Sequence, residues 1–345
     1  CESEKGGEIN GRKGKFKMEK KRTLNWAVLG TGGIAHSMGR AWAAGGGSLY
    51  GAANRTRSRA EAFAEEFGVK KVYDSCDDLF ADPAVDVVYI ATPHNTHFPY
   101  IMKALESGKH VLAEKAITLN SGELAQAEAL AARKGLVLAE AMTIWHMPLY
   151  KKLWPMVERG DFGKVQMITV NFGAPKPYDM SNRFFSRNLA GGALLDLGVY
   201  ALSFARSFMS SQPDKVDSQM RFAPGGTDEQ ETILLMNREG ESASLAVSLR
   251  ADLPRTAVVS CEKAYIEIPD YTRPVRAFVV NSQTGERKEI REGERELALW
   301  YEKEDMERAI LEGDAGEMRA PLTRDVMEIM TRLREDWGMR YPEEE

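Results

Sequence analysis

Residues 26–35, Trp-Ala-Val-Leu-Gly-Thr-Gly-Gly-Ile-Ala, constrain this chain more than any other stretch. A short apolar run, Trp26 to Leu29, meets Gly30, Gly32 and Ala35, and an alanine-rich helical pattern follows. The order strand, tight turn, helix has a steric logic. Gly30 allows the turn, Gly32 lets backbone N–H groups approach a pyrophosphate, and Ala35 permits close packing of helix on strand. Thr31, Gly33 and Ile34 complete the turn, and the helix start offers its unpaired N–H groups and partial positive charge to an anion. Alone, the spacing is equally compatible with a structural glycine turn. Its place at the head of a region where strands and helices alternate favours a dinucleotide site.

The alternation is regular. A helix over 33–44 precedes a strand over 49–53, and 58–67 reads as an amphipathic helix capped by Ser58. The β-branched run 85–91 suits a strand buried on both faces of a parallel sheet. A helix at 96–107, a strand at 110–113, a helix at 121–134 and a strand at 136–141 continue the pattern. The fold class is α/β, beginning with a doubly wound parallel sheet over 23–141. Past Pro148 the rhythm changes. A helix over 148–159 leads to strands near 164–172, 229–236, 243–250, 256–260, 264–268 and 275–280, with a helix at 193–208 between them. Short turns such as Gln283-Thr-Gly-Glu286 predict a mostly antiparallel open sheet in a second α/β domain, 142–320. Helices at 297–312 and 322–337 close the chain, residues 321–345 forming a terminal helix and tail.

At 345 residues there is room for two cores. A net charge of −5 with interspersed signs carries no nucleic-acid footprint. No apolar run approaches the ~18 residues of a membrane span. The first 22 residues hold four acidic and eight basic side chains and few apolar ones, so 1–22 reads as a flexible extension, with Met18 a candidate natural start. Three widely spaced cysteines, Cys1, Cys76 and Cys261, argue against a disulfide framework or a zinc cluster. A cytoplasmic protein is expected.

Four constellations carry chemistry. Asn54 and Arg55 follow the second strand, where an NAD-selective site would place an acidic residue; Arg55 instead suits a 2′-phosphate and favours NADP, NAD remaining possible. A solvated surface arginine is the plainer alternative. The strand 85–91 ends in Thr92-Pro93-His94-Asn95-Thr96-His97 on the cofactor side of the sheet. Thr92 and Pro93 line that loop, Asn95 is a candidate contact for the nicotinamide end, and His97 a loop-ordering or cofactor-side residue. His94 and His97 lack the partners of a metal pair. Glu114-Lys115 stands at the end of the next strand, where an ammonium can bond a substrate hydroxyl and lower the pKa of a neighbouring acid. Asp196 and Tyr200 are four apart and share a helical face, and Asp196, set in an apolar run, needs a partner such as Lys115 or a substrate hydroxyl.

With these residues in view, the chain resembles the glucose–fructose oxidoreductase / inositol dehydrogenase (Gfo/Idh/MocA) family over almost all of 23–342. The carriers are the glycine turn, Ala-Thr-Pro-His-Asn-Thr-His97, Glu114-Lys115, Gly-Gly-Ala-Leu-Leu-Asp-Leu-Gly-Val-Tyr200 and Trp-Gly-Met-Arg-Tyr-Pro342. It looks most like the branch with glucose–fructose oxidoreductase, dimeric dihydrodiol dehydrogenase and NADP-dependent D-xylose dehydrogenase, which carries tyrosine where inositol dehydrogenases carry histidine. The resemblance implies a Rossmann domain followed by an α/β domain whose open sheet mediates homodimers or homotetramers. It assigns catalysis to Lys115, Asp196 and Tyr200. Tyr200 would take a proton from a substrate hydroxyl as hydride leaves for nicotinamide, Lys115 would depress the tyrosine pKa, and Asp196 would anchor a second hydroxyl and balance the lysine. The implied substrate is a small polyhydroxylated molecule: a sugar, a sugar derivative or a vicinal diol. An internally recycled, tightly bound NADP and a non-catalytic NADP-sensing regulator are the alternatives.

Two departures stand out. The family's Glu-Lys-Pro is Glu-Lys-Ala here, which leaves open whether Lys115 is presented through the cis bond that commonly precedes that proline. The family's arginine-phenylalanine pair before Pro148 is replaced by Trp145-His-Met147. Trp145 either stacks on a sugar ring or fills the domain junction, and Arg183 and Phe184 are candidates for shaping the substrate pocket.

Overall fold

The computed structural model describes residues 22–345, so the expectation for the N-terminal extension and Met18 lies outside the described residues apart from Arg22. The first sheet is built from β1 (Trp26–Leu29), β2 (Gly51–Ala53), β3 (Lys71–Val72), β4 (Val87–Ile90), β5 (His110–Glu114) and β6 (Leu138–Ala141). Its order is β3-β2-β1-β4-β5-β6 and every pairing is parallel. Between the strands run α1 (Gly33–Ala44), α2 (Arg57–Phe67), α3 (Cys76–Ala81), α4 (His97–Glu106) and α5 (Ser121–Lys134). β1 and β4 are buried at every residue, as continuous apolar runs in a covered parallel sheet must be.

Two short α-helices, α6 (Thr143–His146) and α7 (Pro148–Glu158), lead to the second sheet. Its strands are β7 (Val165–Gly173), β8 (Lys215–Phe222), β9 (Asp228–Met236), β10 (Ser242–Ser248), β11 (Thr256–Cys261), β12 (Ala264–Pro269), β13 (Arg276–Asn281) and β14 (Arg287–Arg291). They lie in the order β14-β13-β12-β11-β7-β10-β9-β8, antiparallel except for β7 with β10. One face, with Ile168, Val170, Ile233, Leu245 and Val259, packs against α8 (Val199–Phe208). The other face leaves Met167, Leu234, Met236 and Tyr265 exposed.

Several expectations are corrected. The helix predicted from 193 begins with a π-helical turn, Leu194–Gly198, before α8. Ser58 does not cap α2. The Asn54 side chain accepts from the Thr56 backbone N–H at 2.9 Å, and the helix begins at Arg57 with Thr56 as its flanking residue. The stretch Arg187–Phe208 is, contrary to expectation, long and apolar enough to cross a membrane, but 83% of its most apolar window is buried inside the fold. It is the core helix of the second layer.

The last helices do not stay with the sheet they follow. α9 (Ala298–Glu312) crosses back to the first domain and packs on α1. Leu299, Met306 and Ala309 join Trp26, Trp42 and Leu49 in one cluster. Trp42 Nε1 donates to the Leu299 carbonyl at 3.1 Å, and Trp26 Nε1 to Glu307 at 3.0 Å. α10 (Ala320–Asp336) lies between α5 and α8, touching both domains.

Candidate active site

The glycine turn is stereochemically obligatory. Gly30 adopts φ +93°, and a Cβ there would fall 2.6 Å from the Ala91 carbonyl oxygen. Above Gly32 and Gly33 there is open space, and no side chain caps α1, so its first N–H groups stand free toward that space. Asn54 Nδ2 donates to Thr31 Oγ1 at 2.8 Å, tying the ends of β1 and β2 together. Arg55 is exposed beside them, and Ile34 is half-buried at the start of α1. An open cradle of N–H groups with a free cation at the end of β2 fits a phosphorylated dinucleotide. Thr92 belongs to the same wall, its methyl 2.9 Å from a Cβ at Gly30, and Pro93 is exposed beyond it.

The rest of that loop is committed inward. His97 is fully buried, with Nδ1 2.9 Å from the Ala116 carbonyl and Nε2 2.9 Å from the Thr92 carbonyl. It therefore orders the loop and presents no surface to a cofactor, which corrects its assignment as a cofactor contact. His94 bridges the Lys115 and Ala190 carbonyls at 3.1 Å each. Burial drives the His94 imidazole down to about 3, so it is neutral at pH 7. The Asn95 amide nitrogen donates to the Asn188 carbonyl at 3.2 Å and to Glu343 at 2.7 Å, fastening the C-terminal tail, while its amide oxygen has no partner among the described residues. Glu114 turns beneath the sheet, accepting from the Tyr89 hydroxyl and from the Lys115 N–H at 3.3 Å, rather than facing a nucleotide.

Lys115, Asp196 and Tyr200 do converge. The Lys115–Ala116 bond is cis. Lys115 Nζ lies 3.2 Å from Asp196 Oδ1, 2.6 Å from the Asp196 carbonyl and 4.8 Å from the centre of the Tyr200 ring. The Asp196 carbonyl that receives the ammonium lies within the π-helical turn Leu194–Gly198, the kind of local widening that recurs at functional sites. Burial pushes the Asp196 carboxyl up, but the charges of Lys115 and Arg183 overcome it and hold the group at about 2. Burial works against the Lys115 charge, and Asp196, Tyr200 and Glu114 reverse the outcome, so the ammonium is retained. For Tyr200 the expectation needs amending. Burial raises its hydroxyl above the usual value, and the Lys115 and Arg273 charges offset only part of that rise.

Of the three substrate-side candidates, Arg183 reaches the site, its Nη1 3.6 Å from Asp196 Oδ1 and its guanidinium 4.0 Å from the Phe184 ring, which is half-buried beside it. Trp145 does not. It is fully buried in the core, so the sugar-stacking alternative gives way to the junction-filling one. Sequence reasoning missed Phe172, whose ring lies 5.9 Å from that of Tyr200, and Asp228, which accepts from the Leu194 N–H at 2.6 Å. A buried carboxylate near the start of β9 could have flagged Asp228; nothing local to Phe172 marks it.

Against this geometry, comparison with known proteins is decisive. The pattern described as "Oxidoreductase family, NAD-binding Rossmann fold" matches residues 24–142, and the GFO/IDH/MocA C-terminal domain matches 150–267. The chain belongs to the GFO/IDH/MocA family. Among its relatives in that family is trans-1,2-dihydrobenzene-1,2-diol dehydrogenase of Mus musculus, 34% identical over 77% of this chain and 80% of the relative. The D-xylose 1-dehydrogenase (NADP(+)) of Hypocrea jecorina is 29% identical over 93% and 94%. In structure, levoglucosan dehydrogenase, in complex with NADH and levoglucosan, superposes with a TM-score of 0.79 at 18% identity, covering 90% of this chain and 98% of that one. A 3-ketoreductase from Actinomadura kijaniata, in complex with NADP and TDP-benzene, gives 0.78 at 22% identity, covering 90% and 96%. These likenesses establish the GFO/IDH/MocA fold for both domains.

Proposed function

We propose that this protein is an NADP-dependent dehydrogenase or reductase acting on a hydroxyl-bearing carbon of a sugar, a sugar derivative or a vicinal diol. The observation that carries the reading is the meeting of Lys115, Asp196 and Tyr200 at the ends of β5 and the π-helical turn, on the carboxyl side of a sheet with an open glycine turn. When bound, the nicotinamide accepts or supplies the hydride. Tyr200 Oη holds or takes the hydroxyl proton. The Lys115 ammonium stabilises the phenolate that results, offsetting part of the burial that disfavours it. Asp196 fixes the ammonium and leaves its second oxygen for a neighbouring substrate hydroxyl.

NADP is the favoured nucleotide because Arg55, free of any ion pair among the described residues, stands where a 2′-phosphate is read. Relatives named for diols and xylose support the substrate class. The test is NADPH absorbance over aldoses, polyols and dihydrodiols, with NAD in parallel. Turnover with NADP that falls by about 10²–10⁴ in Lys115→Ala and in Tyr200→Phe supports the reading; full turnover in Tyr200→Phe overturns the base assignment.

The second sheet supports a homo-oligomer. Its outer face carries the register row Met236, Ser242, Met167, Ser260, Tyr265 and, beside it, Leu234, Ser244, Thr169, Val258. An extended, gently apolar sheet face of this kind suits a second copy of the same face.

A further inference from the structure

Two loops from different domains build the Lys115–Asp196–Tyr200 site, and one side chain joins their backbones. Lys115 follows β5 in the first domain, and Asp196 lies in the π-helical turn of the second, a short way past Ala190. His94, on the loop after β4, places Nε2 3.1 Å from the Lys115 carbonyl and Nδ1 3.1 Å from the Ala190 carbonyl. The Lys115 ammonium on Asp196 completes a ring. It runs from the Lys115 backbone through the imidazole to Ala190, along the chain to Asp196, and back through the ammonium.

Both anchors of the imidazole are themselves held. The next carbonyl, that of Ala116, faces His97 Nδ1 at 2.9 Å, and the two histidine rings meet edge-on with centres 5.7 Å apart. On the other side Ala190 is fully buried. The Gly191 N–H donates to the Ser186 carbonyl at 3.0 Å and the Gly192 N–H to the Phe184 carbonyl at 2.9 Å, while the Tyr341 hydroxyl donates to the Gly191 carbonyl at 2.7 Å. His94 is the point at which the first domain grips this fixed segment. A neutral imidazole carries one N–H, which serves one of the two carbonyls at a time, and the rigid ring sets the spacing of both. A buried side chain so placed acts on the site through the groups it orients.

We propose that His94 is a positioning residue for the catalytic lysine: by fixing the Lys115 carbonyl against the Ala190 carbonyl, it sets where the ammonium meets Asp196 and Tyr200. Its effect on turnover rests on the dehydrogenase reading above, whereas the placement of the ammonium is readable without turnover. With the ring removed, the ammonium moves off Asp196. The carboxylate then helps less to hold the lysine proton, and the burial that opposes the charge gains weight.

The test reads Lys115 directly. Acetic anhydride at a limiting dose acylates unprotonated amines, and peptide mass spectrometry gives the rate at each lysine. Lys115 is expected to react about 10-fold faster in His94→Ala, the equivalent of one pK unit. His94→Gln keeps one N–H donor and should show a smaller rise, and it preserves the comparison if the alanine variant does not fold. Lys109 and Lys303, buried against other elements, report general loosening and should keep their rates. In turnover, kcat of His94→Ala is expected to fall about 10²-fold with substrate KM little changed. Adding His94→Ala to Lys115→Ala should cost nothing more, because the two residues act as one unit. Unchanged Lys115 reactivity, an equal acceleration at Lys109 and Lys303, or additive losses in the double variant overturn the proposal and leave His94 a packing residue. A parent without turnover, in which His94→Ala still selectively accelerates Lys115, supports the positioning role and counts against the dehydrogenase reading alone.

Discussion

Glu140 shows how a single side chain sets a property of the whole protein. It is almost fully buried on β6, its carboxyl accepting from the Ile117 N–H at 3.2 Å and hydrogen-bonded to the Thr323 hydroxyl at 3.1 Å. Burial outweighs both bonds and pushes the group up to about 7. In the unfolded chain it titrates near its ordinary value of 4.5, so between those two points the folded state holds a proton that the unfolded state has lost. Its contribution is thus full below about pH 4.5 and is lost as pH rises to about 7, an effect on the order of 3 kcal/mol. Glu140→Gln keeps the shape without the titration. Denaturant midpoints of this variant are expected to fall less steeply across that window than those of the unsubstituted protein; an unchanged slope would show that Glu140 ionises normally.

At this scale the sequence was most legible where chemistry demands a residue type. Lys115, Asp196 and Tyr200 stand together as their motifs imply, and the neutral loop-ordering role of His97 was within reach of the pattern. What it concealed was direction. Glu114 and Trp145 occupy the right elements but turn their side chains into the fold, and the Asn95 amide nitrogen is taken by the tail, because the partners that claim them (Tyr89, the junction core and Glu343) lie far away in the chain.

Among elements, the π-helical turn before α8 deserves weight because it spreads the backbone where Lys115 docks. It is seated by Asp228, whose carboxyl accepts from the Leu194 N–H and is itself pushed up to about 6 by burial. Gly192 makes room for that seat. It sits at φ +131°, and a Cβ would land 2.1 Å from Asp228 Oδ1. Gly192→Ala is therefore expected to cost about 1–3 kcal/mol, both from the backbone conformation and from the displaced carboxylate. Thermal unfolding and kcat measured together should fall together, since the same shift tilts Asp196 and Tyr200; a stable, fully active variant would mean the turn does not depend on this seat. The sequence read α1 and α5 to the residue because the glycine turn that opens α1, the Asn120 cap of α5 and the apolar periodicity of both are local. It missed β8 and β14, whose strands carry mostly polar, exposed residues at the sheet's two edges, where no alternation is imposed.

At the level of the molecule, the apolar outer face of the second sheet predicts self-association. Leu234→Glu and Met167→Glu place charges in adjacent strand rows of that face without touching the active site. Light scattering after size exclusion should give a dimer or tetramer for the parent and a smaller species for the double variant; a monomeric parent would dismiss the interface. The two-layer plan of the molecule was readable from the change of rhythm at Pro148, but the return of α9 to the first domain was not, because its apolar face could have packed on either layer.

That return, together with the tail, alters what the word domain means here. The first sheet is covered on one side by α9, from near the end of the chain. Residues 340–345 then bind back to three separated places: Asn95, Asn120 and Arg187. A chimaera cut once near 147, taking the nucleotide half from one relative and the substrate half from another, would mismatch Trp42 with a foreign α9 and the tail with foreign anchors. Recombination that preserves the protein has to keep α9 with the nucleotide half and to match the tail to anchors in both halves, Asn95 and Asn120 in one and Arg187 and Gly191 in the other. The molecule is modular in space and not along its chain.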